Sequence, residues 1–190
     1  MLLVIATQNS GKLKEFQHHL EGLPWTLDLM PQDLEIEETG QTFLENACIK
    51  ASQVAKQLGQ WAIADDSGLA VDALQGAPGV YSARYGTDDL DRIARLLREL
   101  GDTPKRTAQF VCAIALARPD GEIACHAEGV CAGEILYDSQ GEGGFGYDPI
   151  FYVPAAHLTF AEMTKDQKRA ISHRGKAIAA LLPQLQSLAI

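Results

Sequence analysis

A run of four apolar residues, Trp61-Ala62-Ile63-Ala64, reads as a buried strand, and Asp65-Asp66-Ser67-Gly68 follows it at once. This junction constrains the fold more than any other stretch. Two adjacent carboxylates at the end of a hydrophobic strand repel each other when desolvated, so something there must compensate their charge. A divalent cation would do so, since Mg²⁺ takes one or two carboxylates and fills its remaining positions with water and phosphate oxygens. The alternative is a cap on the next turn, a role that Asp and Ser commonly fill. A pair of carboxylates followed by Ser-Gly favours the metal or catalytic role. The strand is expected to end here, with Gly68, Gly76, Pro78 and Gly79 marking an ordered loop beyond it.

A second polar junction lies at the start of the chain. Residues 2–6 read as a buried strand, followed by Thr7-Gln8-Asn9-Ser10-Gly11-Lys12. Ser10 suits the N-cap of a helix whose Leu13, Phe16 and Leu20 share a face, with Gly22 closing it. Strand, polar turn and helix N-terminus together make an anion site, because free N–H groups and the positive end of the helix dipole face outward. The P-loop pattern fails: Ala6 stands where glycine is required, and Leu13 stands where Ser or Thr is required. Lys12 can reach a phosphate without that fold.

The charge distribution agrees with a small polyanionic ligand. The net charge of −9 argues against a non-specific nucleic-acid binder, which needs a broad positive field. Acidic residues crowd 33–45, whereas Lys165, Lys168, Arg169, Arg174 and Lys176 crowd another segment. The first residues resemble neither a signal peptide nor a membrane span. The four cysteines form no zinc-type pair, which suggests buried thiols in a reducing, cytoplasmic setting. At 190 residues a single domain over 1–190 is expected.

Between the two junctions, residues 27–30 suggest a strand. Thr42-x-x-Glu45 is a capping box opening a helix that runs to about Leu58, with Gly59 behind it. Phe43, Ala47, Val54 and Leu58 form its apolar stripe, and Lys50 lies about 20° from Phe43 at the edge of that stripe. Such a lysine either snorkels to solvent or reaches a ligand. A helix follows from Asp88 or Asp89 to Gly101, with Ile93, Leu96, Leu97 and Leu100 inward. Residues 107–117 and 122–132 read as two strands joined at Arg118-Pro119-Asp120-Gly121. The whole is α/β with a mixed sheet.

Two further segments carry candidate chemistry. In GEGGFGYDP (141–149), a purine could stack on Phe145 or Tyr147 while the backbone and Asp148 bond its edge; alternatively the aromatics fold into the core. In one straight helix from Lys165, His173 and Arg174 would point away from Lys168. If Lys168 and Arg174 serve one ligand, the helix must break near Ser172, with Ser172 recapping a second segment.

Together these stretches resemble the inosine triphosphate pyrophosphatase family. The resemblance rests on ATQNSGKLKEF, EETGQTFLENACIKA, ADDSGLAVDALQGAPGVYSARYG, GGFGYDPIFYVP and FAEMTKDQKRAISHRGKA, in the family's order over almost the whole chain. Gln8 departs from the glycine common there. The resemblance implies a long mixed β-sheet flanked by helices, two lobes with the nucleotide cleft between them, and a homodimer. It implies house-cleaning hydrolysis of dITP, ITP and XTP to monophosphate and pyrophosphate, keeping them out of DNA and RNA. By position, Thr7, Gln8, Asn9, Ser10, Gly11, Lys12 and Lys50 would bind the triphosphate. Glu38 and Asp66 would hold Mg²⁺, and Asp66 would accept the proton of the attacking water. Ser67, Phe145, Gly146, Tyr147, Asp148, Lys168, His173 and Arg174 would complete the substrate site. Competing readings are a non-catalytic nucleotide sensor and a pyrophosphatase for another modified triphosphate.

Overall fold

The computed structural model describes residues 1–7, 13, 16, 17, 20, 22 and 24–188. Seven strands form one sheet: β1 (Leu2–Ile5), β2 (Thr26–Leu29), β3 (Trp61–Val71), β4 (Thr107–Ala117), β5 (Ile123–Ile135), β6 (Phe151–Val153) and β7 (Leu158–Thr159). Their order is β2-β1-β3-β4-β5-β6-β7. β1 pairs in parallel with both β2 and β3, whereas β5–β6 and β6–β7 are antiparallel, so the sheet is mixed as expected. Among the described residues, the helices whose bounds are defined are α1 (Phe43–Leu58), α2 (Asp89–Leu100), α3 (Lys165–Ile171) and α4 (His173–Ser187). No helix among the described residues is long and apolar enough to cross a membrane.

One expectation fails at the central junction. β3 does not stop after Ala64 but continues through Asp65-Asp66-Ser67-Gly68 to Val71. Successive side chains of a strand leave opposite faces of the sheet, so the two carboxylates are separated by the pleat. Their mutual repulsion therefore does not break the ladder. The irregular segment begins only at Asp72, with short 3₁₀ turns at Asp72–Leu74 and Gly79–Arg84.

The chain divides into two compact units. In the first (Met1–Asp66, Cys112–Gly129 and Ala177–Ile190), two apolar clusters lie on opposite faces of the strands. Ala62 and Ala64 of β3 pack with Ala47, Ala51, Val54 and Ala55 of α1, small side chains that let helix and strand approach closely. Ile63 belongs instead with Leu3, Ile5, Phe16 and Leu181. The capping box forms in full: the Thr42 hydroxyl accepts from Glu45 N–H, the Glu45 side chain accepts in return, and Gly59 closes the helix at φ 60°. Phe16 and Leu20 are buried, as their helical spacing predicts; Ser10 lies outside the described residues.

The second unit (Ser67–Val111 and Val130–Lys176) is built around aromatic rings. Phe110 meets Phe151 edge-on at 4.6 Å and stacks on His173 at 4.8 Å. The C-terminal helical pattern breaks where the spacing of Lys168 and Arg174 requires. α3 ends at Ile171, Ser172 turns extended (φ −68°, ψ 158°), and α4 starts at His173. The Ser172 hydroxyl then accepts from Gly175 N–H at 3.2 Å, recapping the second segment. Gly175 has no room for a side chain, because a Cβ there would collide with the Arg169 carbonyl oxygen. Gly175→Ala is therefore expected to lower stability by about 2–3 kcal/mol through overpacking, measured by urea denaturation.

Candidate active site

In the first unit, three ionic side chains converge beside the N-terminal half of α1. Lys50 Nζ donates to Glu38 Oε1 at 2.6 Å and stands 3.9 Å from Asp66 Oδ1. The lysine therefore turns toward two carboxylates rather than snorkelling to solvent. It reaches them because Asp66 shares its face of β3 with Ala62 and Ala64, the face on which α1 packs. Asn46, one turn before Lys50, donates from Nδ2 to Asp66 Oδ2 at 3.1 Å. Its Oδ1 accepts from Gly40 N–H at 2.8 Å, which ties the acidic loop to the start of the helix.

Burial pushes the Asp66 carboxyl above its ordinary range, and the neighbouring Glu38 and Asp65 push it further in that direction. Lys50 and the Asn46 hydrogen bond oppose the rise. A carboxyl raised in this way is a better proton acceptor than an ordinary aspartate, and Lys50 keeps a cation close to it. A cavity of 480 Å³ opens at Glu38 and Lys50, which line it with Thr7 and Gln32, and Met30 and Leu34 are among its apolar walls. Gln8, Asn9, Ser10, Gly11 and Lys12 lie outside the described residues.

The donor set for a cation is small. No group of three or more His, Cys, Asp or Glu side chains is placed to hold a metal among the described residues. Glu38 and Asp66 are the two carboxylates that share Lys50, while Asp65 leaves the opposite face of β3. Two hard oxygen donors, one of them lining an open cavity, fit Mg²⁺, which retains water and phosphate ligands, better than an ion needing an all-protein cage.

The second unit gathers the remaining candidates. The two aromatics of the glycine-rich loop take opposite roles. Phe145 is 61% exposed, whereas Tyr147 is buried and its hydroxyl donates to the Ser82 carbonyl at 3.0 Å. Burial raises the Tyr147 phenol well above its usual range, so it stays protonated. The buried Asp148 accepts from Phe145 N–H at 2.9 Å and from Lys168 Nζ. The Lys168 ammonium also lies 4.9 Å from the Phe145 ring centre and 5.1 Å from that of Phe160. Arg174 Nη2 donates to Ser67 Oγ at 3.1 Å. His173 is held face-to-face on Phe110.

Two residues of this geometry escape the sequence reading. Asn46 lies four before Lys50 on one helical face, a spacing that carries the signal. Asp89 reads only as a helix start, yet its Oδ2 accepts from Gly146 N–H at 2.7 Å while Arg92 Nη1 holds its Oδ1 at 2.6 Å. Nothing in the sequence joins positions 57 residues apart.

Comparison with known proteins places the chain in a family context. The Ham1 family model matches residues 3–184. The chain is 63% identical to the dITP/XTP pyrophosphatase of Nostoc sp. over 98% of its length and 95% of the relative's. It is 58% identical to the dITP/XTP pyrophosphatase of Synechocystis sp., over 98% and 96%. Among solved structures, the Staphylococcus aureus Ham1 protein aligns with TM-score 0.90 and 45% identity over 98% of both chains. A HAM1 protein from Coxiella burnetii aligns at 0.91 with 44% identity, covering 99% of this chain and 100% of its own.

The raised Asp66 carboxyl has a consequence for stability. Folding favours its protonated form, so its contribution is fully present below the ordinary aspartate range, about 4, and is lost as pH rises through the folded value. With chelator present, Asp66→Asn should therefore melt above the parent at pH 8, and the gap should close toward pH 4. Thermal melts across that range test it.

Proposed function

The chain belongs to the Ham1 family, and we propose that it hydrolyses the non-standard purine nucleoside triphosphates dITP, ITP and XTP to the monophosphate and pyrophosphate. The observation that carries this reading is the Lys50 ammonium held between Glu38 and Asp66 at the edge of a polar cavity. Cleavage at the α-phosphorus needs neutralised phosphate charge, a positioned water with a proton acceptor, and a stabilised pyrophosphate leaving group. Glu38 and Asp66 would hold Mg²⁺, which supplies charge neutralisation on the phosphate oxygens when bound. Asp66 accepts the proton of the attacking water, its basicity raised by burial. Lys50 exchanges a carboxylate for a phosphate oxygen, aided by Thr7 and the residues through Lys12.

The purine is read in the second unit. Phe145 offers an exposed ring for stacking, and Lys168 offers only donors. A 6-keto oxygen accepts from an ammonium, whereas the 6-amino group of adenine would set a donor against the Lys168 ammonium, which already donates to Asp148, and a donor facing a donor disfavours adenine. Ser67, His173 and Arg174 frame the remainder of the nucleotide. The four cysteines, present as thiols outside any disulfide, fit a reducing, cytoplasmic setting. The homodimer follows from the family resemblance.

The direct test incubates the purified protein with dITP, XTP, GTP and ATP, with and without Mg²⁺, and separates the products. Monophosphate and pyrophosphate from dITP and XTP alone, and only with Mg²⁺, are expected; release of orthophosphate would identify the wrong bond. Asp66→Asn should retain its fold and lose at least about 100-fold in kcat. Asp89→Ala frees the Gly146 amide and should raise KM for dITP several-fold while leaving kcat within about twofold, because it loosens the base loop without touching the reacting phosphate.

A further inference from the structure

Asn46 is 1% exposed and uses both ends of its amide. A backbone N–H can only donate, so the bond from Gly40 fixes the amide oxygen on that side. The NH₂ group must then face the other way, where it meets Asp66 Oδ2 at 3.1 Å. This settles the orientation of the amide from the hydrogen-bond network alone. It also distinguishes the two carboxylate oxygens of Asp66: Oδ2 is occupied by Asn46, and Oδ1 is the one on the Lys50 side.

Gly40 stands two residues after Glu38, so the same amide anchors the loop that carries the second carboxylate. The fit at Gly40 is close, since a Cβ there would lie 2.7 Å from Asn46 Oδ1 and 2.9 Å from Asn46 N. An aliphatic side chain at position 46 would leave the Gly40 N–H and one Asp66 oxygen without these partners. Serine is too short to span both, and glutamine is one methylene too long. Aspartate offers acceptors alone. Asparagine matches the site because its two ends have opposite polarity.

We infer that Asn46 is a positioning residue: it fixes which oxygen of Asp66 faces the reacting phosphate and holds the Glu38 loop in register with it. The functional half of this assignment rests on the pyrophosphatase reading above; the hydrogen-bond half does not.

The test is an exchange of the two side chains. Asn46→Asp keeps an acceptor for Gly40 N–H but turns the donor facing Asp66 into a second carboxylate. It should lower the melting temperature and reduce kcat for dITP by about 10–100-fold, with KM within a few-fold, as supporting partners of catalytic groups do. In Asn46→Asp/Asp66→Asn the donor and acceptor trade places, and the bond can re-form in reverse. This double variant should melt above the value that the two single changes predict by addition, while remaining inactive. If Asn46→Asp does not fold alone, recovery of the fold in the double variant supports the bond, and failure of both overturns it. Strictly additive melting temperatures, or wild-type kcat in Asn46→Asp, would overturn the proposal. If the wild-type protein turns over no dITP, the functional reading fails instead, and the melting cycle still decides whether Asn46 and Asp66 are coupled.

Discussion

The arrangement in the first unit depends on keeping one carboxylate charged where the surroundings are largely alanine. Asp66 extends from the β3 face that packs on α1, and burial alone would favour its neutral form. Lys50 and Asn46 counter that tendency from the same helix, while Glu38 increases the local negative charge. The balance leaves a carboxylate more basic than usual but still surrounded by groups suited to its anion. Replacing Lys50 by an apolar residue would remove the attraction and leave two carboxylates facing each other, which costs more than an ion pair contributes. The lysine is thus part of how the acidic site can exist before any ligand arrives.

The second unit solves a different problem with similar means. A glycine-rich loop has few side chains with which to define its shape, so its order must come from bonds to its backbone and from buried anchors. Phe145 N–H is held by Asp148, Gly146 N–H by Asp89, and the Tyr147 hydroxyl by Ser82. At Gly144 (φ 76°), any side chain would collide with the Asp148 carboxylate. Three consecutive residues are thereby tied to three separate places, leaving the Phe145 ring exposed on a defined support. That division between a fixed backbone and an outward ring is what a stacking platform requires.

Much of this was legible in the sequence because it is local. The capping box at Thr42 and Glu45, the close at Gly59, and the break at Ser172 each depend on residues within a few positions of one another. The strand limit at Ala64 was misread for a physical reason. Adjacent charges look disruptive in one dimension, but the pleat sends Asp65 and Asp66 to opposite faces, so the ladder continues. Lys50 could be placed at the edge of the apolar stripe without revealing whether solvent or a carboxylate would meet it. The Gly146–Asp89 bond left no local trace at all, because it joins a loop to a helix start through tertiary folding.

The capping box also links local structure to chemistry in the first unit. By fixing where α1 begins, Thr42 and Glu45 set the rotational phase of every later side chain on that helix. Asn46 and Lys50, four residues apart, then share a face and meet the two oxygens of Asp66 from successive turns. The same start brings Gly40 against Asn46 and so limits where Glu38 can lie. A shift of one residue in the helix start would rotate the pair by about 100° and separate it from the strand. The sequence from Glu38 to Lys50 therefore acts as one unit: the loop supplies an acid, the cap sets the phase, and the helix delivers an amide and an ammonium to the carboxylate opposite.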